Sequence, residues 1–277
     1  MLLFFTKILC VAAPTNIFLW CAASLCCQEA AEFSSAAGIS HFSMHTETRN
    51  PALYAEFPKN FLAVEYIPAY FGLTEFSRTG FRAGWPAWGN CGVQAHVLGC
   101  GNPGFTELNA GLGIGWRDSL QMLMLGIEPA VYYQRFGNQQ AWNFGFNAGA
   151  LLKFSAWLRA GAGFSVFRPG ASLQENINVQ SPAYAFRAGL GFIPTPPLAI
   201  DADIIIPSGH MPGMIVSASM PLSGREIEAR LSWNGLLHSM QAAFRFQPVQ
   251  DWALTTRLSY HMLLGWSPVF EFIYFGL

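Results

Sequence analysis

From Phe61 to the carboxyl end, side-chain polarity alternates with a period of two, and the charges fall on one of the two faces. Between Glu226 and Asn234 the split is complete, with Glu226, Glu228, Arg230, Ser232 and Asn234 opposing Ile227, Ala229, Leu231 and Trp233. In Glu107 to Trp116 one face reads Glu107, Asn109, Gly111, Gly113 and Gly115, and the other Leu108, Ala110, Leu112, Ile114 and Trp116. Period two is the signature of a strand with two different environments. The same split returns in Trp142–Leu152, Trp157–Phe167, Ala183–Phe192, Leu198–Ile206, Met214–Met220, Ser239–Phe246 and Trp252–His261. It is weaker in Phe61–Ile67, Phe76–Trp85, Gly92–Gly99, Leu120–Tyr133 and Val269–Phe275. The total is about fourteen candidate strands of about 8–12 residues, against the 9–11 or so that a tilted strand needs to cross a bilayer.

A soluble sandwich also alternates, so the charges must decide. Arg82, Arg159, Arg187, Asp201, Asp203, Glu228, Arg230, Arg245 and Arg257 fall inside strands, on the face that also carries Gly and Ser. A water-facing sheet would be dense in Lys and Glu, yet Lys occurs only at Lys7, Lys59 and Lys153. Only 11% of the chain is charged, against about 25% in soluble domains. The opposite face is aliphatic and aromatic, and a charge placed there at mid-bilayer would cost about 2–4 kcal/mol. The nine charges are therefore expected to line a lumen. Trp placement agrees: Trp85, Trp116 and Trp233 end strands, while Trp142, Trp157 and Trp252 begin them. Interfacial aromatic girdles require that pattern. The expected fold is an all-β transmembrane antiparallel barrel of about fourteen strands, with counts of twelve to sixteen open.

Connections follow the same logic. With the amino terminus in the periplasm, the turns after even strands are tight: Arg117-Asp118-Ser119, Phe154-Ser155-Ala156, Pro194 to Pro197 and Ser223-Gly224-Arg225. The longer Arg168–Pro182 and Pro207–Pro212 face outward, the asymmetry expected of such barrels. Asn234-Gly235 reads as a type I′ hairpin on the outer side.

Residues 1–30 have the grammar of an export signal, with Lys7, an apolar stretch and small residues at Ala22, Ala23 and Ser24. Cys26 or Cys27 as a lipidated first residue is the alternative to plain removal. Cys91 and Cys100 are expected unbridged, because a strand between them separates their Cα atoms by about 30 Å. Residues 31–60 do not alternate and contain Gly38, the Asn50-Pro51 turn and Pro58. They precede the barrel, 61–277, as either a lumenal plug, the favoured reading, or a periplasmic tail.

Ala36-Ala37-Gly38, then Asn50, Pro51, Ala52 and Leu53, then an aromatic-rich first strand, together resemble the amino-terminal region of the long-chain fatty-acid transporter superfamily of outer-membrane barrels. The flavour is closer to the PorV/PorQ branch linked to type IX secretion. The resemblance covers about 35 residues around one four-residue motif, and it implies a fourteen-stranded barrel in the outer membrane. It departs from the fatty-acid transporters in a short chain and a polar inward face.

Gly at 80, 84, 111, 113, 115, 145, 149, 161, 163, 189 and 191 falls on the inward face. Two readings stay open: room for a plug or solute, or relief of crowding where strands bend. The inward charges nearly balance, which favours cross-strand ion pairs over a one-sign filter. Ser259 and His261 share a face, but it is the inward one, away from a lipid substrate, and the His residues show no metal-ligand spacing. No catalytic, cofactor or metal site is expected. A net charge of −1 gives no footprint for nucleic acid; the expected partner is the lipid bilayer, with other outer-membrane or secretion-complex subunits implied by the resemblance. Two functions are carried forward: a plugged or narrow barrel serving as a subunit of a secretion or surface complex, and an uptake channel for a small or amphiphilic solute.

Overall fold

The computed structural model describes residues 36, 50–68, 77–102, 104–168, 183–195, 197–208, 211–223, 227–235, 238–262 and 265–276. The expected export signal, residues 1–30, most of residues 31–49 and residues 169–182 of the connection expected to face outward lie outside the described residues. The described residues form strands β1 (Phe61–Ile67), β2 (Ser77–Pro86), β3 (Cys91–Asn102), β4 (Phe105–Arg117), β5 (Leu123–Phe136), β6 (Gln139–Lys153) and β7 (Leu158–Arg168). The second half consists of β8 (Ala183–Thr195), β9 (Leu198–Pro207), β10 (Gly213–Ser223), β11 (Ile227–Asn234), β12 (Ser239–Val249), β13 (Trp252–His261) and β14 (Gly265–Phe275). A short 3-10 helix, Pro51–Glu56, precedes them. All fourteen strands pair antiparallel with their chain neighbours, and β1 closes the ring on β14 through Phe61 opposite Phe275 and Glu65 opposite Glu271. Closure removes both sheet edges, which is the condition for a sheet to stand in hydrocarbon.

Burial alternates along the strands most plainly near the closing seam. In β1, Phe61, Ala63, Glu65 and Ile67 are buried, while Leu62 and Tyr66 are exposed. Following the register around the ring puts every predicted lumenal charge on the inward face. Outward stand Phe81, Leu112, Ile127, Phe144, Phe164, Ile204, Leu231 and Phe244, a continuous apolar surface. Trp85, Trp116, Trp157 and Trp252 lie at the end where β1 begins, here called proximal; Trp142 and Trp233 lie at the distal end. Outward Tyr133, Tyr260 and Trp266 join the distal set, with Tyr133 packed 4.9 Å from Trp142 and Tyr260 packed 4.7 Å from Trp266. Two aromatic rings bounding an apolar band place the molecule's solvent as lipid. Leu112→Arg, midway on β4 between the levels of Trp116 and Tyr133, should therefore cost about 2–4 kcal/mol in urea unfolding from lipid vesicles, whereas Val249→Arg at the rim should cost about 0–1.

Two local readings are corrected. The fifth strand begins at Leu123 rather than Leu120: the Asp118 carboxylate accepts the Met122 and Leu123 amides at 2.7 and 3.0 Å, and Gln121 takes φ 58°. This holds residues 118–122 as a turn although Leu120 and Met122 continue the alternation. Asn234 does not sit in a two-residue hairpin. It pairs with Ser239, so residues 235–238 form the connection, with His238 at φ 48°. Cys91 and Cys100 stand near opposite ends of β3, each unbridged.

The lumenal seat of the amino-terminal segment, a candidate functional site

Asn50 organises the segment that enters the barrel. Its Oδ1 accepts the Ala52 amide at 3.1 Å, and its carbonyl accepts the Leu53 amide at 3.1 Å. Pro51 then opens the helix, at a position where its missing N–H costs nothing. The Asn50 Nδ2 donates to the Ala150 carbonyl of β6 at 3.1 Å and to the Ala36 carbonyl at 2.6 Å. Ala36 in turn donates its amide to Asp203 of β9 at 2.9 Å. One asparagine thus caps the helix, ties it to β6 and holds the residue that bonds β9, three strands further round the ring.

The helix lies against the inward face of β2 to β6 at the proximal end. Glycine makes this approach feasible. A Cβ at Gly115 would stand 2.7 Å from both the Ala55 nitrogen and the Pro51 oxygen. One at Gly126 would fall on the Pro51–Ala52 peptide, one at Gly92 on the Tyr54 carbonyl, and one at Gly149 on the Asn50 side-chain oxygen. At these four positions the inward glycines make room for a segment of chain, one of the two readings left open above. Gly189 and Gly111 instead face Asp203 and His96, side chains of adjacent strands.

Two apolar clusters cement the seat. Ala52, Leu53 and Ala55 pack with Met124 and Leu151. On the other side, Tyr54 and Phe57 pack with Phe61, Ala63, Ala253, Ile273 and Phe275. The Phe57 ring stacks 5.6 Å from Tyr54 and meets Phe61 edge-on at 5.0 Å. Polar anchors fix the register. Glu56 pairs with Lys153 of β6 and with Arg159 of β7, the latter at 2.9 Å. Tyr54 donates its hydroxyl to Glu128, whose other oxygen accepts Asn147 at 2.9 Å. His96 Nδ1 lies 3.8 Å from Glu128, and Gln94 donates to the Tyr54 oxygen at 3.4 Å. Replacing Asn50 by Ala should cost about 0.5–2 kcal/mol as a lost cap. Hydrogen exchange of the Ala52 and Leu53 amides should accelerate accordingly.

Above the seat runs a buried ion network. Glu65 of β1 accepts Arg82 at 2.9 Å and Arg257 at 2.5 Å, with Arg78 3.5 Å away; Arg82 also reaches Glu271 at 3.3 Å. Glu65 and Glu271 face each other across the closing seam, and the arginines between them offset that repulsion. The other predicted charges are distributed around the wall. Arg230 donates to Ser217 at 3.1 Å, Arg245 to Gln247 at 3.0 Å, and Glu228 stands opposite Arg245 in register. Asp201 and Asp203 face Gly191 and Gly189, and Arg187 lies one inward step further along β8. Ser259 accepts Gln241 at 3.1 Å, a wall hydrogen bond. Among the described residues no group of His, Cys, Asp or Glu is placed to hold a metal.

Sequence reasoning did not single out Tyr54, Glu56, Lys153, Gly92 or Gly126. The two glycines could have been found, since they share the alternation phase of Gln94 and Glu128.

A closed barrel with an apolar outer band and an inward face of charge and glycine defines the transmembrane β-barrel class. Within it, the chain is similar to the Pseudomonas putida toluene transporter TodX, at 9% identity over 88% of this chain and 99% of that one, with a TM-score of 0.60. It is also similar to a TodX monoaromatic hydrocarbon channel mutant, at 10% identity over 87% and 94%, TM-score 0.57. The Acinetobacter baumannii outer membrane protein Omp33 follows, at 6% identity over 79% and 98%, TM-score 0.51. At these identities the likeness is one of fold, that of outer-membrane β-barrels. No family model matches the sequence, and no curated protein sequence matches it. These neighbours share the closed antiparallel barrel that the resemblance implies.

Proposed function

We propose that the chain is a non-enzymatic outer-membrane barrel, its amino terminus periplasmic, whose lumen is occluded from the periplasmic end by its own amino-terminal segment. It serves the uptake of a small apolar or amphiphilic solute. The observation that carries this reading is the seat: a helix with five of its residues buried, resting on glycines that leave space for backbone and for nothing larger. Similarity of fold to hydrocarbon channels supports the solute class.

A second reading, a sealed subunit of a secretion complex of the PorV/PorQ kind, is supported by the buried Glu65 network, which stiffens the closing seam. Uptake by intact cells separates the two. Cells carrying the full chain should accumulate labelled toluene, or a labelled single-chain amphiphile, faster than cells without it. No acceleration, joined to stoichiometric co-purification of other membrane proteins, would replace the uptake reading with the second.

A further inference from the structure

The proximal rim carries apolar side chains where a turn facing water should be polar. Trp88, in the β2–β3 turn, is 87% exposed, and Leu120, in the β4–β5 turn, is 75% exposed. Phe154, in the β6–β7 turn, and Met122 are exposed as well. These side chains come from consecutive hairpins, so they form one arc.

Their exposure is built into ordered backbone. Ala87 donates to the Cys91 carbonyl at 2.8 Å, and Cys91 to Trp88 at 3.1 Å. Asp118 caps the second turn, and Phe154 donates to Leu158 at 3.1 Å. Neighbouring turns are also tied to one another: Arg117 donates to Asn90 at 2.9 Å, and Lys153 to Met122 at 2.8 Å. A rim fixed in this way cannot turn its apolar groups inward, and holding them in water costs about 25 cal/mol per Å².

The arc continues the lipid-facing band, because Trp88 lies three residues past Trp85, Leu120 four past Trp116, and Phe154 two past Leu152. The distal β5–β6 turn between the same strands differs, with Arg135, Asn138 and Gln140 exposed. Across the barrel, the proximal β12–β13 turn is the exposed polar pair Gln250–Asp251.

We infer that the arc of Trp88, Leu120 and Phe154 is a lipid-binding rim that inserts into the interface between headgroups and acyl chains of the periplasmic leaflet. The barrel is seated deeper on this side than on the β12–β13 side. Trp and Leu suit that layer, where an apolar body and a polar edge are both satisfied. The seat of the amino-terminal helix lies just above the same strands, so the occluded mouth opens at the membrane surface. The inference rests on the chain lying in a bilayer, as proposed above, and is independent of what the lumen carries.

The test uses the full chain, with all six cysteines (Cys10, Cys21, Cys26, Cys27, Cys91 and Cys100) replaced by Ser, in phosphatidylcholine vesicles. A nitroxide is attached in turn at positions 88, 120, 154, 250 and 231. Position 231, on the outward band, reports whether the barrel is in lipid at all. At 88, 120 and 154 the ratio of oxygen to nickel-chelate accessibility should exceed that at 250 several-fold and approach that at 231. Values at 88, 120 and 154 equal to that at 250 overturn the inference. Shielding from both reagents would mean that a second copy covers the rim, and overturns it too. A water-like value at 231 instead sinks the bilayer reading. As a check free of labels, Trp88→Phe should remove a fraction of the tryptophan emission that lipids brominated near the headgroup quench; an unquenched fraction counts against the rim.

Discussion

Gly126→Ala is expected to turn an occluded barrel into a leaky one. The new methyl would land on the peptide joining Pro51 and Ala52, and backbone cannot rotate aside as a side-chain tip can. Overpacking of this kind costs about 1–3 kcal/mol, which lowers the ratio of seated to displaced helix roughly 5- to 150-fold. Steady current through planar bilayers reads that ratio directly. Gly163→Ala is the matched control: it faces inward on β7, but its Cβ would meet only the Ala148 carbonyl, at 3.8 Å. The current should rise for Gly126→Ala and stay at the wild-type level for Gly163→Ala. Equal currents from all three proteins would mean that the helix does not occlude the lumen. Glu56→Gln should act in the same direction and more weakly, since it weakens the pairs to Lys153 and Arg159 while leaving both apolar clusters in place.

The barrel was legible because its two environments write themselves into every second residue. β11 is the clearest case: lipid requires Ile227, Ala229, Leu231 and Trp233 on one side, and the interior accepts Glu228 and Arg230 on the other. Boundaries were less legible where a side chain competes with the pattern. Leu120 and Met122 alternate like strand residues, yet the Asp118 carboxylate captures two amides and makes a turn of them. The seat was legible only in part. Periodicity marks Gly115 and Gly149 as inward, but what occupies the space beside them is a long-range fact. Tyr54 and Glu128 meet across 74 positions of chain, and Glu65 and Arg257 across 192. No local rule pairs residues at such distances; the Asn50-Pro51-Ala52-Leu53 motif came nearest, because the asparagine's capping role is local while its bond to Ala150 is not.

The buried network at the seam makes the strongest demand on stability. Glu65 is 2% exposed and holds Arg82 and Arg257 directly, with Arg78 beside them. Glu65→Leu would leave three guanidinium groups around a vacated carboxylate, with Glu271 as the acid that Arg82 still reaches. Removing one partner of a buried pair typically costs about 3–5 kcal/mol, because the remaining charge is left without compensation. The loss falls on β1, seven residues long, whose pairing with β14 is what closes the ring. Urea unfolding from lipid vesicles should therefore show a midpoint well below wild type. Adding Arg257→Leu to Glu65→Leu should recover part of the loss, since it withdraws a cation that has lost its partner. The size of the effect should change little with salt, because a pair shut away from solvent is screened far less than one at the surface. A loss below about 1 kcal/mol, the range of exposed pairs, would show that water reaches these groups and that the lumen at this level is open.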